Sequence, residues 1–306
     1  MRVIISGGGT GGHIYPAIAI AGALKAKAPN TKILFVGAKG KMEMEKVPAA
    51  GYAIRGLPIT GIQRELSWQN LGFPFRLVSS ILQARRIVRE FQPDIAIGVG
   101  GYASGPLLYA ASGAKIPCLI QEQNAFAGLT NRWLASRVQR FCVAYEGMEQ
   151  FFPANKIVLT GNPVRQDVLD LSNKQAEAWA YFQLKPGPKT ILVFGGSQGA
   201  RRINESISQG IDQIVEAGFQ LIWQTGRNAF VQDAKQAHYE SVETVKKLEF
   251  INRMDLAYAI ADVVVARAGA STVSELCIAA KPSILSPLPS AAEDHQTEKC
   301  PSSLVE

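Results

Sequence analysis

The chain has 306 residues, which suggests two domains at roughly 150 residues per domain. Hydrophobic residues make up 47% and charged residues 19%, a composition that excludes a mainly disordered chain. The formal net charge of +7 favours anionic partners, such as phosphorylated substrates or acidic membrane surfaces.

Short apolar runs alternate with helical patterns through the first half of the chain. The uncharged stretch 95–114 contains several glycines and a proline, so it predicts strand, loop and helix rather than a membrane span. In this half we predict strands at 2–6, 32–36, 52–59, 95–99 and 116–121, with helices at 15–27 and 73–91. This alternation is typical of parallel sheets with helices on both faces.

The second half repeats the alternation after a break. Residues 153–173 are rich in polar residues, glycine and proline, and we interpret them as the boundary between two domains, 1–160 and 161–306. Beyond the break we predict strands at 190–194, 219–224, 248–251, 262–266 and 283–288, with helices at 201–216 and 272–280. The predicted fold class is α/β, with two doubly wound domains.

Glycine-rich turns follow the first strand of each predicted domain. Residues 3–12 read VIISGGGTGG and residues 191–200 read ILVFGGSQGA, so each strand runs through glycines into a helix. Such a helix N-terminus presents free N–H groups that suit an anion. A third turn, GGYASGP at 100–106, follows another strand. We therefore expect phosphorylated ligands at the carboxyl ends of the strands, facing a cleft between domains.

A nucleotide enzyme of another class is the first alternative. Gly7, Gly9 and Gly12 satisfy G-x-G-x-x-G, but the dinucleotide fingerprint also needs an acidic residue about 20 positions further on. The second predicted strand instead ends in the sequence VGAK, at residues 36–39. No G-x-x-x-x-G-K-[ST] sequence occurs either, so a P-loop enzyme fits worse.

Two residues are candidate general bases. His13 follows the first glycine turn and is one of three histidines; it acts either as a base near neutral pH or as a loop-packing residue. Glu122 lies in the polar sequence QEQN at 121–124, where a strand ends. It is the second candidate base, and its alternative role is to hold a polar turn.

Two further segments carry groups that suit a nucleoside diphosphate. Arg165 ends the sequence GNPVR; its planar guanidinium pairs either with a diphosphate or with a hinge carboxylate. Residues 267–275 join a strand to a helix, and we expect Ser271 or Thr272 to cap that helix. Glu275 either completes a capping box with Thr272 or accepts hydrogen bonds from ribose hydroxyls.

Metal chemistry has no support in the sequence. The four cysteines show no CxxC or Cys/His spacing, and a reduced, cytosolic setting is the simplest interpretation. No Asp-x-Asp sequence is present to hold a divalent cation, so helix dipoles and arginine would neutralise a leaving diphosphate. No recognised nucleic-acid motif accounts for the positive charge.

The predicted helix at 73–91 combines apolar and basic residues. Phe75 and Leu82 share it with Arg85 and Arg89, among others. Such a helix either contacts an anionic lipid surface or is an ordinary amphipathic helix with a solvated basic face.

Six motifs together resemble one family, the MurG family of UDP-N-acetylglucosamine:lipid-linked N-acetylmuramyl-pentapeptide N-acetylglucosamine transferases. They are GGTGGH at 8–13, GGYASGP at 100–106, EQNAFAGLTN at 122–131, GNPVR at 161–165, GGSQGA at 195–200 and GASTVSE at 269–275. Their order and spacing resemble the family from residue 1 to about residue 296.

The resemblance implies a GT-B fold, with an N-terminal domain that holds the lipid acceptor at the cytoplasmic face of the membrane and a C-terminal domain that binds the UDP-sugar. It implies an inverting transfer of N-acetylglucosamine to the 4-hydroxyl of undecaprenyl-pyrophosphoryl-N-acetylmuramyl-pentapeptide, without metal or cofactor. By the same resemblance the donor contacts are Thr10, Gly11, Gly12, Asn124, Arg165, Ser197, Ile251, Ala270, Ser271, Thr272, Val273, Ser274, Glu275 and Gln296. Ile251 would meet uracil through its backbone, Glu275 the ribose and Gln296 the sugar.

The end of the sequence departs from the family. Residues 298–306 read EKCPSSLVE, and Pro301 would interrupt the helix that the family has there. We therefore expect a second domain that is truncated and incomplete. Two alternatives to the transferase stay open: another UDP-sugar enzyme with a GT-B fold, and an inactive remnant that still binds UDP.

Overall fold

A computed structural model of the chain describes residues 1–61, 72–227 and 242–288. The chain divides into two compact units, Met1–Arg165 and Gln166–Glu306. The division falls after Arg165, whereas the sequence placed the domain boundary after residue 160.

The first unit is built on a seven-stranded parallel sheet with the order β3-β2-β1-β4-β5-β6-β7. Its strands are β1 (Arg2–Ser6), β2 (Lys32–Ala38), β3 (Ala53–Leu57), β4 (Ile95–Gly98), β5 (Cys118–Glu122), β6 (Arg140–Val143) and β7 (Ile157–Leu159). Its helices are α1 (Gly11–Lys27), α2 (Glu43–Ala49), α3 (Phe73–Phe91), α4 (Ser104–Gly113) and α5 (Leu129–Trp133). Short 3₁₀ turns occur at Met148–Gln150 and Ala154–Lys156.

Strand β1 shows why this sheet is covered on both faces. Val3 and Ile5 belong to one apolar cluster, Ile4 belongs to another, and all three are fully buried. Successive side chains of a strand point to opposite faces, so both faces of the sheet carry a core. The strand order reverses between β1 and β4, and ligands of doubly wound sheets bind at such a point. The turns at residues 7–10 and 99–103 follow these two strands.

The second unit has a five-stranded parallel sheet with the order β10-β9-β8-β11-β12. Its strands are β8 (Thr190–Phe194), β9 (Gln220–Gln224), β10 (Val245–Leu248), β11 (Val263–Arg267) and β12 (Ser283–Ser286). Its described helices are α6 (Gln166–Leu169), α7 (Gln175–Phe182), α8 (Arg201–Glu216), α9 (Met254–Ile260) and α10 (Ala270–Ala279). The strand order reverses between β8 and β11, so the turns after these strands occupy the corresponding position.

Three sequence predictions are corrected by the structure. Helix α1 begins at Gly11 rather than at residue 15, because the glycines themselves enter the first helical turn. The strand predicted at 248–251 lies at Val245–Leu248, because the N–H of Ile251 is bonded by a side chain instead of a neighbouring strand. Gly269 caps α10, so neither Ser271 nor Thr272 is its N-cap.

The stretch 95–114 forms strand β4, a turn and helix α4, as predicted. Among the helices that the structure describes, none is long and apolar enough to cross a membrane.

Candidate functional site

The first glycine turn encloses a carboxylate from its own chain. Glu43, on α2, is fully buried; its Oε2 accepts from the N–H of Gly9 at 3.0 Å and its Oε1 from the N–H of Ala38 at 2.9 Å. A Cβ on Gly8 would overlap this carboxylate, so only glycine fits there. An N–H group that would suit a bound anion is therefore already occupied. Glu43 was not among the candidate residues predicted from the sequence.

The turn after β4 packs against the first turn. Gly100 and Gly101 have φ of +101° and +86°, and a Cβ on Gly101 would overlap the backbone of Gly8. The Ser104 hydroxyl donates to the carbonyls of Ser6 at 3.0 Å or Gly100 at 2.8 Å. These contacts hold the two turns in a fixed arrangement at one edge of the sheet.

His13 lies on the first turn of α1, against the second of these turns. A Cβ on Gly100 would lie 2.7 Å from its Nδ1 atom, so glycine is needed where the ring passes. Its Nδ1 is 2.9 Å from Oε1 of Gln123, which follows β5. Within the part of the chain that the structure describes, His13 Nε2 makes no hydrogen bond. This nitrogen is therefore available to a ligand.

Both oxygens of Glu122 are committed to the loop that follows it. Oε1 accepts from the backbone N–H of Asn124 at 3.1 Å, and Oε2 accepts from Gly128 N–H at 3.1 Å and from Asn131 Nδ2 at 2.8 Å. The side chain is 2% exposed. These contacts favour a role in holding the loop over a role as base.

Other candidates of the first unit lie around the same edge. Thr10 is the N-cap of α1, and Gly11 and Gly12 are its first two residues. The Arg165 guanidinium lies 6.0 Å from the centre of the Tyr15 ring, which is also on α1. The structure thus brings Thr10, Gly11 and Gly12 together with His13, and places Arg165 against the same helix.

The glycine turn of the second unit has a different environment. Gly196 and Gly199 have φ of +88° and +82°, and a Cβ on Gly196 would meet nothing within 4 Å. Ser197 is half-buried within this turn. No described carboxylate accepts from the turn's N–H groups; Gly199 N–H donates to Gly196 O at 3.0 Å. Because α8 also has no acidic residue in its first turn, the site suits an anion.

A buried glutamine connects this turn to Ile251. Gln224, at the end of β9, donates from Nε2 to the carbonyl of Gly196 at 3.0 Å. Its Oε1 accepts from the N–H of Ile251 at 2.8 Å. Gln224 is 2% exposed, and it was not among the candidate residues predicted from the sequence.

The start of α10 supplies further polar groups. Ser271 Oγ is buried and has no hydrogen-bond partner among the described residues. Ser274 Oγ donates to the carbonyl of Ala270 at 3.0 Å, and the Tyr258 hydroxyl donates to Glu275 Oε2 at 3.0 Å. Thr272 and Val273 are half-buried in the same segment.

Gln296 and the divergent segment 298–306 lie outside the described residues. Among residues 1–61, 72–227 and 242–288, no three His, Cys, Asp or Glu side chains are grouped as a metal site.

Two family models match the chain. The glycosyltransferase family 28 N-terminal domain matches residues 3–143, and the glycosyltransferase family 28 C-terminal domain matches residues 190–300.

Curated relatives match nearly the whole chain. A UDP-N-acetylglucosamine--N-acetylmuramyl-(pentapeptide) pyrophosphoryl-undecaprenol N-acetylglucosamine transferase from Cytophaga hutchinsonii is 57% identical, covering 97% of this chain and 79% of the relative. The protein of the same name from Parabacteroides distasonis is 55% identical, covering 97% of this chain and 81% of the relative. The chain thus spans about four fifths of these relatives.

Solved structures share the fold. A crystal structure of Acinetobacter baumannii MurG has a TM-score of 0.67 at 30% identity, covering 97% of this chain and 81% of that one. A UDP-GlcNAc 2-epimerase from Neisseria meningitidis bound to UDP-GlcNAc has a TM-score of 0.62 at 17% identity, covering 93% of this chain and 82% of that one. The two parallel-sheet α/β units are those of the GT-B fold, as predicted.

Proposed function

The chain belongs to glycosyltransferase family 28, among the MurG-type transferases, and from that premise we propose that it transfers N-acetylglucosamine from UDP-N-acetylglucosamine to lipid-linked N-acetylmuramyl-pentapeptide. The observation that carries this function is identity of 55–57% over 97% of the chain to relatives named for that reaction. The product is the disaccharide lipid precursor of peptidoglycan.

His13 is the general base of this proposal. The reaction needs a base that takes the proton from the 4-hydroxyl of the acceptor sugar. The oxygen of that hydroxyl bonds to the anomeric carbon as UDP departs from the opposite face of that carbon. His13 Nε2 has no partner among the described residues, whereas both oxygens of Glu122 hold the loop at 124–131. Glu122 is therefore a positioning residue in our proposal.

The second unit supplies the nucleotide site. The open turn with Ser197 and the N-terminus of α10 both offer N–H groups to the diphosphate. The unpartnered hydroxyl of Ser271 suits a phosphate oxygen, and Glu275 suits the ribose hydroxyls. Ile251 would meet uracil and Gln296 the sugar, as the resemblance implies.

The first unit supplies further donor contacts. Arg165 would neutralise charge on the departing diphosphate, and Asn124 would contact the donor beside His13, as the resemblance implies. Thr10, Gly11 and Gly12 at the N-terminus of α1 complete this set.

The outer face of α3 is proposed as a membrane contact. Phe75, Val78 and Leu82 are 80%, 57% and 58% exposed, and their spacing places them on one face of the helix. Arg85 and Arg89 continue that face and line a cavity of about 580 Å³. Apolar side chains followed by arginines suit the interface of an anionic bilayer. We propose that this contact lies at the cytoplasmic face, where the lipid acceptor would be presented.

A transfer assay tests the function. Radiolabelled N-acetylglucosamine should move from UDP to a short-chain acceptor analogue without added metal. His13→Ala should lower kcat by about 10²- to 10⁴-fold, since general base catalysis contributes that range. UDP affinity should persist in the variant. Absence of product from folded chain that binds UDP would refute the transferase and favour an inactive UDP-binding protein.

A further inference from the structure

The orientation of the Gln123 side-chain amide is fixed by backbone carbonyls. Its Nε2 donates to Val99 O at 2.9 Å and to Gln121 O at 3.2 Å. Carbonyl oxygens only accept, so the amide nitrogen must face them and Oε1 must face His13. Gln123 is 2% exposed, so water does not compete for these contacts.

This orientation determines which nitrogen of His13 carries a proton. Oε1 of Gln123 only accepts hydrogen bonds, and it lies 2.9 Å from His13 Nδ1. Nδ1 must therefore be the donor, whether the imidazole is neutral or charged. Every change in protonation then occurs at Nε2.

We propose that Gln123 is a positioning residue that holds His13 in the Nδ1–H tautomer, so that Nε2 takes the proton of the acceptor hydroxyl. This inference rests on the proposed function and deepens it. In the step, the hydroxyl O–H bond breaks and an N–H bond forms at Nε2. The electron pair that stays on the hydroxyl oxygen forms the bond to the anomeric carbon. The bond between that carbon and the diphosphate oxygen breaks, and UDP leaves with its electron pair. The Nε2 proton passes to solvent after product release.

A chain of amides anchors Gln123 in turn. Gln121 donates from Nε2 to Asn162 Oδ1 at 3.4 Å, and Asn162 donates from Nδ2 to the carbonyl of Gln123 at 3.3 Å. Gln121 is also 2% exposed. The amide that orients His13 is thus held from both its side chain and its backbone.

Charged groups on the surrounding elements act on other partners. Glu122 bonds the loop after β5, Glu43 bonds the turn after β1, and Arg165 lies over the Tyr15 ring on α1. Tyr102, after β4, approaches Gly9 and Gly61. None of these groups forms an ion pair with His13 in the described residues. The amide of Gln123 is thus the group that selects the tautomer.

The tautomer can be measured directly, because the chain has only three histidines. Nitrogen-15 NMR of the full chain labelled at histidine, with His13→Ala for assignment, distinguishes protonated from unprotonated ring nitrogens. In the neutral imidazole of His13 we expect a protonated Nδ1 and an unprotonated Nε2. A protonated Nε2 in the unsubstituted chain would overturn the inference.

Kinetics test the consequence for the reaction. Gln123→Leu should lower kcat by about 10- to 100-fold with little change in the donor KM, the range seen when a hydrogen-bond partner that orients a metal-ligating histidine is removed. Gln123→Leu should also remove the preference for Nδ1–H in the nitrogen-15 spectrum of His13, because leucine offers no acceptor to Nδ1. A loss of packing alone would leave that preference in place.

Gln220→Leu is the matched control. Gln220 is 1% exposed and bonds the backbone of Lys185 through both its amide atoms, in the second unit. It should lower stability without changing the nitrogen-15 signals of His13. A His13 spectrum of Gln123→Leu identical to that of the unsubstituted chain would contradict the inference. No transfer by the unsubstituted chain would instead contradict the proposed function and leave the tautomer result standing.

Discussion

The glycine turn of the first unit has the Gly9 N–H bonded by the buried Glu43 carboxylate, whereas no described carboxylate bonds the corresponding turn of the second unit. The two turns begin from nearly the same pattern, VIISGGGTGG and ILVFGGSQGA. A Cβ on Gly8 would overlap Glu43, whereas a Cβ on Gly195 would overlap Ala200 of its own turn and a Cβ on Gly196 would meet nothing within 4 Å. A carboxylate of the same chain thus occupies the first turn, and no described carboxylate occupies the second.

This difference teaches that a glycine turn alone does not define a phosphate site. The N–H groups of a turn attract whichever anion reaches them, and in the first unit that anion is a side chain. The first turn, with its Gly9 N–H occupied, then serves as a rigid support for His13 and for the α1 N-terminus, and the N–H groups of the second turn are left for the phosphates of a ligand. Four predictions compare the two units, from the largest expected effect to the smallest.

The largest expected effect is the loss of stability of the first unit when the Glu43 carboxylate is removed. Glu43→Ala leaves the N–H groups of Gly9 and Ala38 without their acceptor, at a cost of about 2–4 kcal/mol in unfolding free energy. Lys41→Ala, at an exposed position just before the same helix, should change stability by less than about 0.5 kcal/mol. Denaturant unfolding of both variants measures this. Equal effects would show that the carboxylate does not support the turn.

The units should also differ in membrane contact. Phe75→Ser combined with Leu82→Ser should weaken binding to anionic vesicles by about 2–3 kcal/mol, or roughly 30- to 150-fold, because two apolar side chains no longer leave water. Ile284→Ser in the second unit is the control, since Ile284 is 62% exposed. Vesicle sedimentation at matched salt gives both affinities. An equal loss of vesicle affinity in the control would contradict the proposal that α3 is the membrane contact.

The carboxylate of Asp255 should make the unfolding free energy of the second unit fall at acidic pH. Burial raises the pKa of Asp255, but hydrogen bonds from Arg253 and Lys174 outweigh it and hold that pKa at about 2. The folded value lies below the unfolded value of about 3.9, so this stabilisation is present above pH 4 and is lost as the pH falls toward 2. It amounts to about 2 kcal/mol. The unfolding free energy of Asp255→Asn should lack this dependence on pH. If its slope against pH equals that of the unsubstituted chain, the prediction is wrong.

The smallest effect concerns the open turn itself. Gly196→Ala places a Cβ in open space at a φ of +88°, so strain should cost about 1 kcal/mol. Its Cβ would also face the ligand, and UDP affinity should fall. Gly210→Ala, inside α8, has open space without positive φ and should stabilise by about 0.5–1 kcal/mol. Calorimetric UDP titration of both variants separates the two, and equal affinities would contradict an anion site at Gly196.

The sequence predicted the helices and strands better than the side-chain hydrogen bonds at the candidate site. Helix α3 was predicted with the bounds Phe73–Phe91 that the structure shows, because its apolar spacing is strong. The strand assigned to 248–251 was wrong, because a side chain rather than a strand bonds Ile251.

The polar contacts at the two turns were not predictable from local pattern. Glu43 bonds a residue 34 positions away, and Gln123 bonds His13 across 110 positions. Gln224 reaches Ile251 across 27 positions. Periodicity reports which face of an element is buried, but it carries no information on which buried amide or carboxylate meets a distant turn. The positions of the residues in the sequence named His13 as the first candidate base and Glu122 as the second, and the family resemblance did not settle the choice.

The most direct test of the division between the turns is a UDP titration of the full chain followed by backbone amide NMR. The account predicts that the amide signals of Gly196 and Ser197 shift with UDP concentration, while that of Gly9 stays fixed because Glu43 holds it. A saturable shift at Gly9 with none at Gly196 and Ser197 would contradict the account and place the nucleotide at the first turn.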